Sequence, residues 1–339
     1  MRANLFLLLF STTFSVMLGL YLARDMIWRE GPEGSTFESI GELRQKITER
    51  DERDVKSDRS VSLRSIIVPN ESDYVIYELA PNLDVKFQGV RVTTNSFGMR
   101  SPERPQAKPA GTYRIALLGD SYAFGWGVEQ DKIFAAEIER ILNEDSEVSQ
   151  KIEVLNFGVP GYSTFQEVTQ FFSKGAAFDP DLVLVFFIDN DFGLPFFIKK
   201  LGSPAILAPS AQFRKMREAQ TDRVERKKTS DFLGSINAND HLRKLADALE
   251  QKRIPLVLSI NPRRSSALDE KRLPILRHHA NLHYHPIKEA YKAYITEKGL
   301  SREQLTLPSD PHPNARRHGI YGRLLAAELK PYILKSKEN

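Results

Sequence analysis

The chain contains no cysteine. This excludes disulfides, a lipid-modified N-terminal cysteine, thiolate metal sites and a cysteine nucleophile. It leaves the compartment open, because cysteine-free chains occur on both sides of a membrane. A marked excess of one charge is missing as well: 48 Lys and Arg stand against 44 Asp and Glu. Nothing therefore points to a nucleic-acid partner. No internal repeat is present.

What the chain does have begins at its N-terminus, where Leu5 to Ala23 runs without a charge and ends at Arg24 and Asp25. Roughly twenty such residues, as a helix, reach across a bilayer core. A cleavable signal would close with small residues at alternate positions, whereas this run closes with Tyr21-Leu22-Ala23. An uncleaved signal anchor, a transmembrane helix over residues 1–24, is the expectation, with secretion after cleavage as the alternative. Arg2 at the start favours a cytoplasmic N-terminus, which puts the bulk of the chain outside the cytoplasm, periplasmic or extracellular. Residues 25–65 are charged and poor in large apolar side chains, as in a solvated stalk. Residues 66–112 read as a small β-rich lead-in of short strands and turns, closed by a linker with Pro102, Pro105 and Pro109.

From Tyr113 onward the rhythm changes. Nearly continuous apolar runs, Tyr113 to Gly119, Val154-Leu155, Asp181 to Ile188 and Pro255 to Ile260, suit strands buried on both faces. Between and after them, segments 131–143, 164–176, 238–251, 286–298 and 315–334 carry helical spacing. This alternation predicts a three-layer α/β/α sandwich with a mostly parallel, flavodoxin-like sheet over 113–339. Two stretches interrupt it, 193–235 with a basic run and 261–285 with several histidines. Both follow strands and so could cap the crevice at the sheet's carboxyl edge.

Successive strands end in chemistry-bearing residues. The first leads into Gly119-Asp120-Ser121-Tyr122, the second into Asn156-Phe157-Gly158-Val159-Pro160-Gly161, and the third into Ile188-Asp189-Asn190-Asp191. Asp310-Pro311-His312-Pro313-Asn314 arrives just before the last helix. Nucleophile, base, orienting acid and oxyanion donors are the components acyl transfer requires. Alone, a Gly-Asp-Ser tripeptide would read as a polar strand cap.

In this order the four blocks resemble those of the SGNH hydrolases, a branch of the GDSL esterases and lipases. The resemblance extends over Asn95-Ser96-Phe97-Gly98-Met99-Arg100 and Ala123 to Val128, as in exported bacterial relatives, some involved in polysaccharide acylation. It implies that Ser121 is the nucleophile, His312 the general base and Asp310 its partner. It also implies an oxyanion hole made by the backbone N–H groups of Ser121 and Gly161 and the side-chain amide of Asn190. Gly161 is preferred to Gly158 because the family's glycine falls five positions after the strand-ending asparagine, here Asn156. Two departures stand out: Ile188 occupies the third block's usual glycine, and only Pro311 separates acid from histidine. The shorter spacing is seen among the polysaccharide-acylating relatives.

The expected activity is serine ester hydrolysis of O-acyl groups, O-acetyl among them, with an O-acylated glycan as candidate substrate. An O-acyltransferase acting on an extracytoplasmic polysaccharide and a catalytically idle glycan-binding or assembly protein are the alternatives. No cofactor and no metal are expected. His278, His279, His283 and His285 stand beside no carboxylate in zinc-motif spacing. His318 is expected on the last helix as a surface or packing residue, His241 opens a helix without an obvious partner, and Trp126 is either core or part of an acyl pocket.

Overall fold

The computed structural model describes residues 60–72, 75, 77–188, 191, 237–262, 273–308 and 310–336. The expected membrane span at Leu5–Ala23, the stalk up to residue 59, the 193–235 insertion, residues 263–272 and Asn190 lie outside the described residues. The last part of the expected stalk is instead packed, with Val61 and Ser65 buried and Val61 bridged to Phe87. Among those described, no helix is long and apolar enough to cross a membrane.

Five parallel strands form the central sheet: β5 (Thr112–Leu118), β6 (Lys151–Asn156), β7 (Leu182–Phe187), β8 (Leu256–Ile260) and β9 (Leu282–Tyr284), in spatial order β6-β5-β7-β8-β9. Counted within the sheet this is 2-1-3-4-5, the flavodoxin-like order, whose switch point lies between its first and third strands. Every residue of β5, β7 and β8 is buried, so the apolar runs read as continuous rather than alternating.

Alternate side chains nevertheless serve two cores. Ile115, Leu117, Leu184 and Phe186 pack with α2 (Phe134–Glu144) and α6 (Ala315–Lys335). Ala116, Leu118, Val183, Val185 and Phe187 pack with α3 (Thr164–Ser173) and α4 (Ala238–Gln251). On α2 the buried stripe Phe134, Ile138 and Leu142 repeats every fourth residue, as an amphipathic helix requires. The helix α5 (Lys288–Glu297) adds Tyr291 to the first core.

The predicted 261–285 insertion ends in a strand. Leu282–Tyr284 pairs in parallel with β8, Val257 facing His283, and forms the sheet edge. His285 follows it and is held between Glu328 (2.6 Å) and the Tyr332 hydroxyl (2.7 Å), while His279 Nε2 meets Asp247 at 2.9 Å. Among the described residues no group of three or more histidines and carboxylates could hold a metal ion.

The lead-in forms two antiparallel pairs, β1 (Ile67–Pro69) with β2 (Tyr77–Leu79) and β3 (Asp84–Phe87) with β4 (Val90–Thr93). Its core includes Phe124, Val159, Tyr162 and Phe165 from the α/β portion. The Tyr77 hydroxyl donates to Pro160 O at 2.8 Å, and that of Tyr162 donates back to Tyr77 O. The lead-in thus braces two of the loops that build the site.

Candidate active site

Ser121 opens α1 (Ser121–Phe124), a single turn that starts where β5 ends. Asp120 caps it, its Oδ1 accepting the Tyr122 N–H at 2.9 Å. A turn this short needs outside support, and buried Arg100 supplies it. The guanidinium donates to the carbonyls of Phe124 (2.9 Å), Gly125 (2.6 Å) and Val128 (2.5 Å). Burial pulls the Arg100 pKa down to about 10, with Glu129 opposing, which leaves the group charged at neutral pH.

From the other side, Asn156 Nδ2 donates to Ala123 O at 2.8 Å, and its Oδ1 accepts the Gly158 N–H at 2.9 Å. A Cβ on Gly158 would lie 2.4 Å from Phe124 N, so only glycine allows this approach. Gly158 is therefore committed to packing under α1. Gly161, at φ 83°, stands at the turn beyond it. Neither its N–H nor that of Ser121 donates to another backbone group among the described residues. An N–H at the first residue of a helix has no intrahelical acceptor.

The acid and the base come from β11 (Asp310–Pro313), paired with β10 (Thr306–Leu307) in a small antiparallel ladder. Asn314 follows as the N-cap of α6, its Oδ1 accepting from Arg317 N at 3.2 Å. Asp310 Oδ1 accepts both the His312 backbone N–H (2.8 Å) and its Nδ1–H (2.5 Å). A single intervening residue therefore suffices for the acid to hold both the chain and the ring. With Nδ1 as donor, Nε2 presents its lone pair to Ser121 Oγ, 2.9 Å away. Burial pushes the Asp310 pKa up, but the His312 backbone and ring bonds, with Trp126, outweigh it and hold the carboxyl below its ordinary value.

The structure brings Ser121, His312 and Asp310 into one relay and sets Gly161 in the loop beside α1, while Asn190 lies outside the described residues. Several supporting contacts were not legible from the sequence, even where the residue itself was named. Trp126 is neither plain core nor a free pocket wall: its Nε1 donates to Asp310 Oδ2 at 3.2 Å, and its indole stacks on His312. Its distance of 184 residues from Asp310 leaves no local signal. Asp120 Oδ2 lies 3.2 Å from Ser121 Oγ, a second acceptor for the same hydroxyl proton. His318 is fully buried, not a helix-surface residue, and its Nδ1 accepts the Phe134 N–H at the start of α2. Glu167 is a buried carboxyl on α3, beside Val168 and Phe171.

No family model matches the chain, and no curated protein matches it. Solved structures do resemble it. A two-domain esterase active on acetylated mannans is 16% identical with a TM-score of 0.43, over 66% of this chain and 50% of that one. The chain thus spans about half the length of that protein. A lipase/acylhydrolase from Enterococcus faecalis is 17% identical with a TM-score of 0.38, over 65% of this chain and 96% of that one. A catalytic mutant of an acetylxylan esterase from Geobacillus stearothermophilus is 16% identical with a TM-score of 0.41, over 64% and 94%. Likeness of this degree leaves the functional argument to the chain's own residues. The sheet order and the serine–histidine–aspartate relay agree with what the resemblance of the sequence blocks to SGNH hydrolases implies.

Proposed function

We propose that this chain is a serine ester hydrolase that cleaves O-acyl esters through an acyl-serine intermediate. The observation that carries this reading is the unbroken relay from Ser121 Oγ to His312 Nε2 (2.9 Å) and from Nδ1 to Asp310 Oδ1 (2.5 Å). Ser121 Oγ attacks the acyl carbonyl while its proton passes to His312 Nε2, and Asp310 stabilises the imidazolium so formed. The developing oxyanion is taken up by the N–H groups of Ser121 and Gly161 and, by the family resemblance, the Asn190 amide. Collapse breaks the bond to the alcohol, which leaves with the proton from Nε2. Water then attacks the acyl-serine with His312 again as base, releasing the carboxylate and restoring the Ser121 hydroxyl.

The resemblance to polysaccharide-modifying relatives makes an O-acetylated glycan the first substrate to test, and the uncharged Leu5–Ala23 run with Arg2 ahead of it supports a domain anchored on the outer side of a membrane. Turnover of p-nitrophenyl acetate and release of acetate from an acetylated glycan, each abolished by Ser121→Ala, are the expected results. A folded wild type that turns over neither would overturn the reading.

A further inference from the structure

The histidines around β9 support a surface at the opposite edge of the sheet from Ser121. With its Nδ1–H donated to Glu328 at 2.6 Å, His285 accepts the Tyr332 hydroxyl at Nε2, 2.7 Å away. His283 lies against the same tyrosine ring, centroids 5.1 Å apart. Tyr332, near the end of α6, is thus held at its hydroxyl and on its ring. It lines a cavity of about 1010 Å3 at the amino ends of β5, β7 and β8, together with Tyr113, Asp181 and Pro255. The seven residues of β5 separate this cavity from the Ser121 elbow, about 20 Å at the rise of an extended strand.

Charge in the cavity is unevenly matched. Its two acids are committed: Asp179 and Asp181 both meet Lys108, at 3.1 Å and 2.7 Å, and Asp181 Oδ2 also accepts the Arg114 N–H at 2.7 Å. Its three cations, Lys252, Arg253 and Lys335, form no ion pair among the described residues. Arg253 holds a left-handed backbone, φ 57°, just past α4. Helices commonly give that place to glycine or asparagine, because a Cβ is strained there. A charge is kept on the cavity rim in spite of that local strain. An adjoining notch shares Pro180, Lys252 and Ile254 with the cavity and is lined by Phe172 of α3. Phe172 is the one large hydrophobic side chain exposed among the described residues, at 38%, and Lys244 Nζ lies 5.4 Å over its ring.

We propose that this surface is a second binding site, which takes an acidic oligosaccharide. Carboxylates of the ligand pair with Lys252, Arg253 and Lys335, while the apolar faces of its sugar rings lie on Tyr332 and Phe172. Aromatic rings at two places with cations between them suit a chain of repeating anionic units. A lone phosphate would engage the cations and leave both rings unused. Binding here involves no reaction, so the site stands apart from the esterase reading.

Titration calorimetry of the full chain with a de-esterified oligogalacturonate is the test, with a neutral cello-oligosaccharide and inorganic phosphate as comparisons. The wild type is expected to bind the oligogalacturonate, more weakly as salt rises, and not the neutral oligosaccharide. The double variant Arg253→Gln/Lys335→Gln should bind about tenfold more weakly, since two partly solvated charges are lost. Tyr332→Ala should also weaken binding, whereas Tyr332→Phe keeps the ring and most of the affinity. Turnover of p-nitrophenyl acetate should stay at the wild-type level in all three variants, because none of them touches the relay. No binding of the oligogalacturonate, equal binding of the neutral oligosaccharide, binding of phosphate alone, or unchanged affinity in the double variant would each overturn the proposal. A folded wild type that binds as expected but turns over no ester would overturn the esterase reading and uphold the second site.

Discussion

Trp126 donates its indole N–H to Asp310 Oδ2 at 3.2 Å while its ring lies 18° from the plane of His312, with centroids 5.2 Å apart. One side chain on the nucleophile's own loop thus fixes the acid by a hydrogen bond and the base by stacking. Trp126→Phe keeps most of the ring and removes the donor. It is expected to lower kcat for p-nitrophenyl acetate about tenfold, the worth of one hydrogen bond to a charged group, with KM unchanged. Trp126→Ala removes both contacts and should cost more. Steady-state kinetics of the two variants check the order.

Arg100 holds three carbonyls of the loop that carries Trp126. Arg100→Met leaves those acceptors buried without donors. Thermal unfolding should show destabilisation of about 2–4 kcal/mol, from lost charge-assisted bonds and unsatisfied oxygens. Arg100→Lys should recover only part of it, since a single ammonium cannot reproduce the planar fork.

Asn190 carries the oxyanion role by resemblance. Asn190→Ala is expected to lower kcat by about 3 kcal/mol of transition-state stabilisation, roughly a hundredfold, and to leave KM alone. A matching rise in KM with kcat intact would assign the amide to substrate binding instead.

His318 offers a stability measurement in acid. Burial, followed by the charges of Arg100, Arg317 and His312, pulls its pKa from 6.5 to about 3. Between those values the unfolded chain takes up a proton that the folded chain refuses, so stability falls as pH drops through that window. His318→Asn retains an acceptor for the Phe134 N–H and does not titrate. Tm against pH for the variant should therefore be flatter than wild type below pH 6.5 and parallel to it above.

Much of this architecture was legible in the chain. The runs at β5 and β7 are apolar on both faces, which only a doubly covered sheet explains. The helix over 238–251 falls at Ala238–Gln251 as its spacing predicts. That Ser121, Asp310 and His312 would meet was legible because each sits in a short local motif at an element's end. The edge strand Leu282–Tyr284 was not, since three residues flanked by Asn281 and His285 carry no periodicity. Nor was the contact of Trp126 with Asp310, because it exists only once two distant loops meet.

The central claim is that Ser121 is an activated nucleophile, and intact-protein mass after exposure to a fluorophosphonate tests it most directly. One adduct on wild type, none on Ser121→Ala and strongly slowed labelling of His312→Ala are the predicted result. No adduct on a folded wild type, or an adduct that persists in Ser121→Ala, would contradict the account.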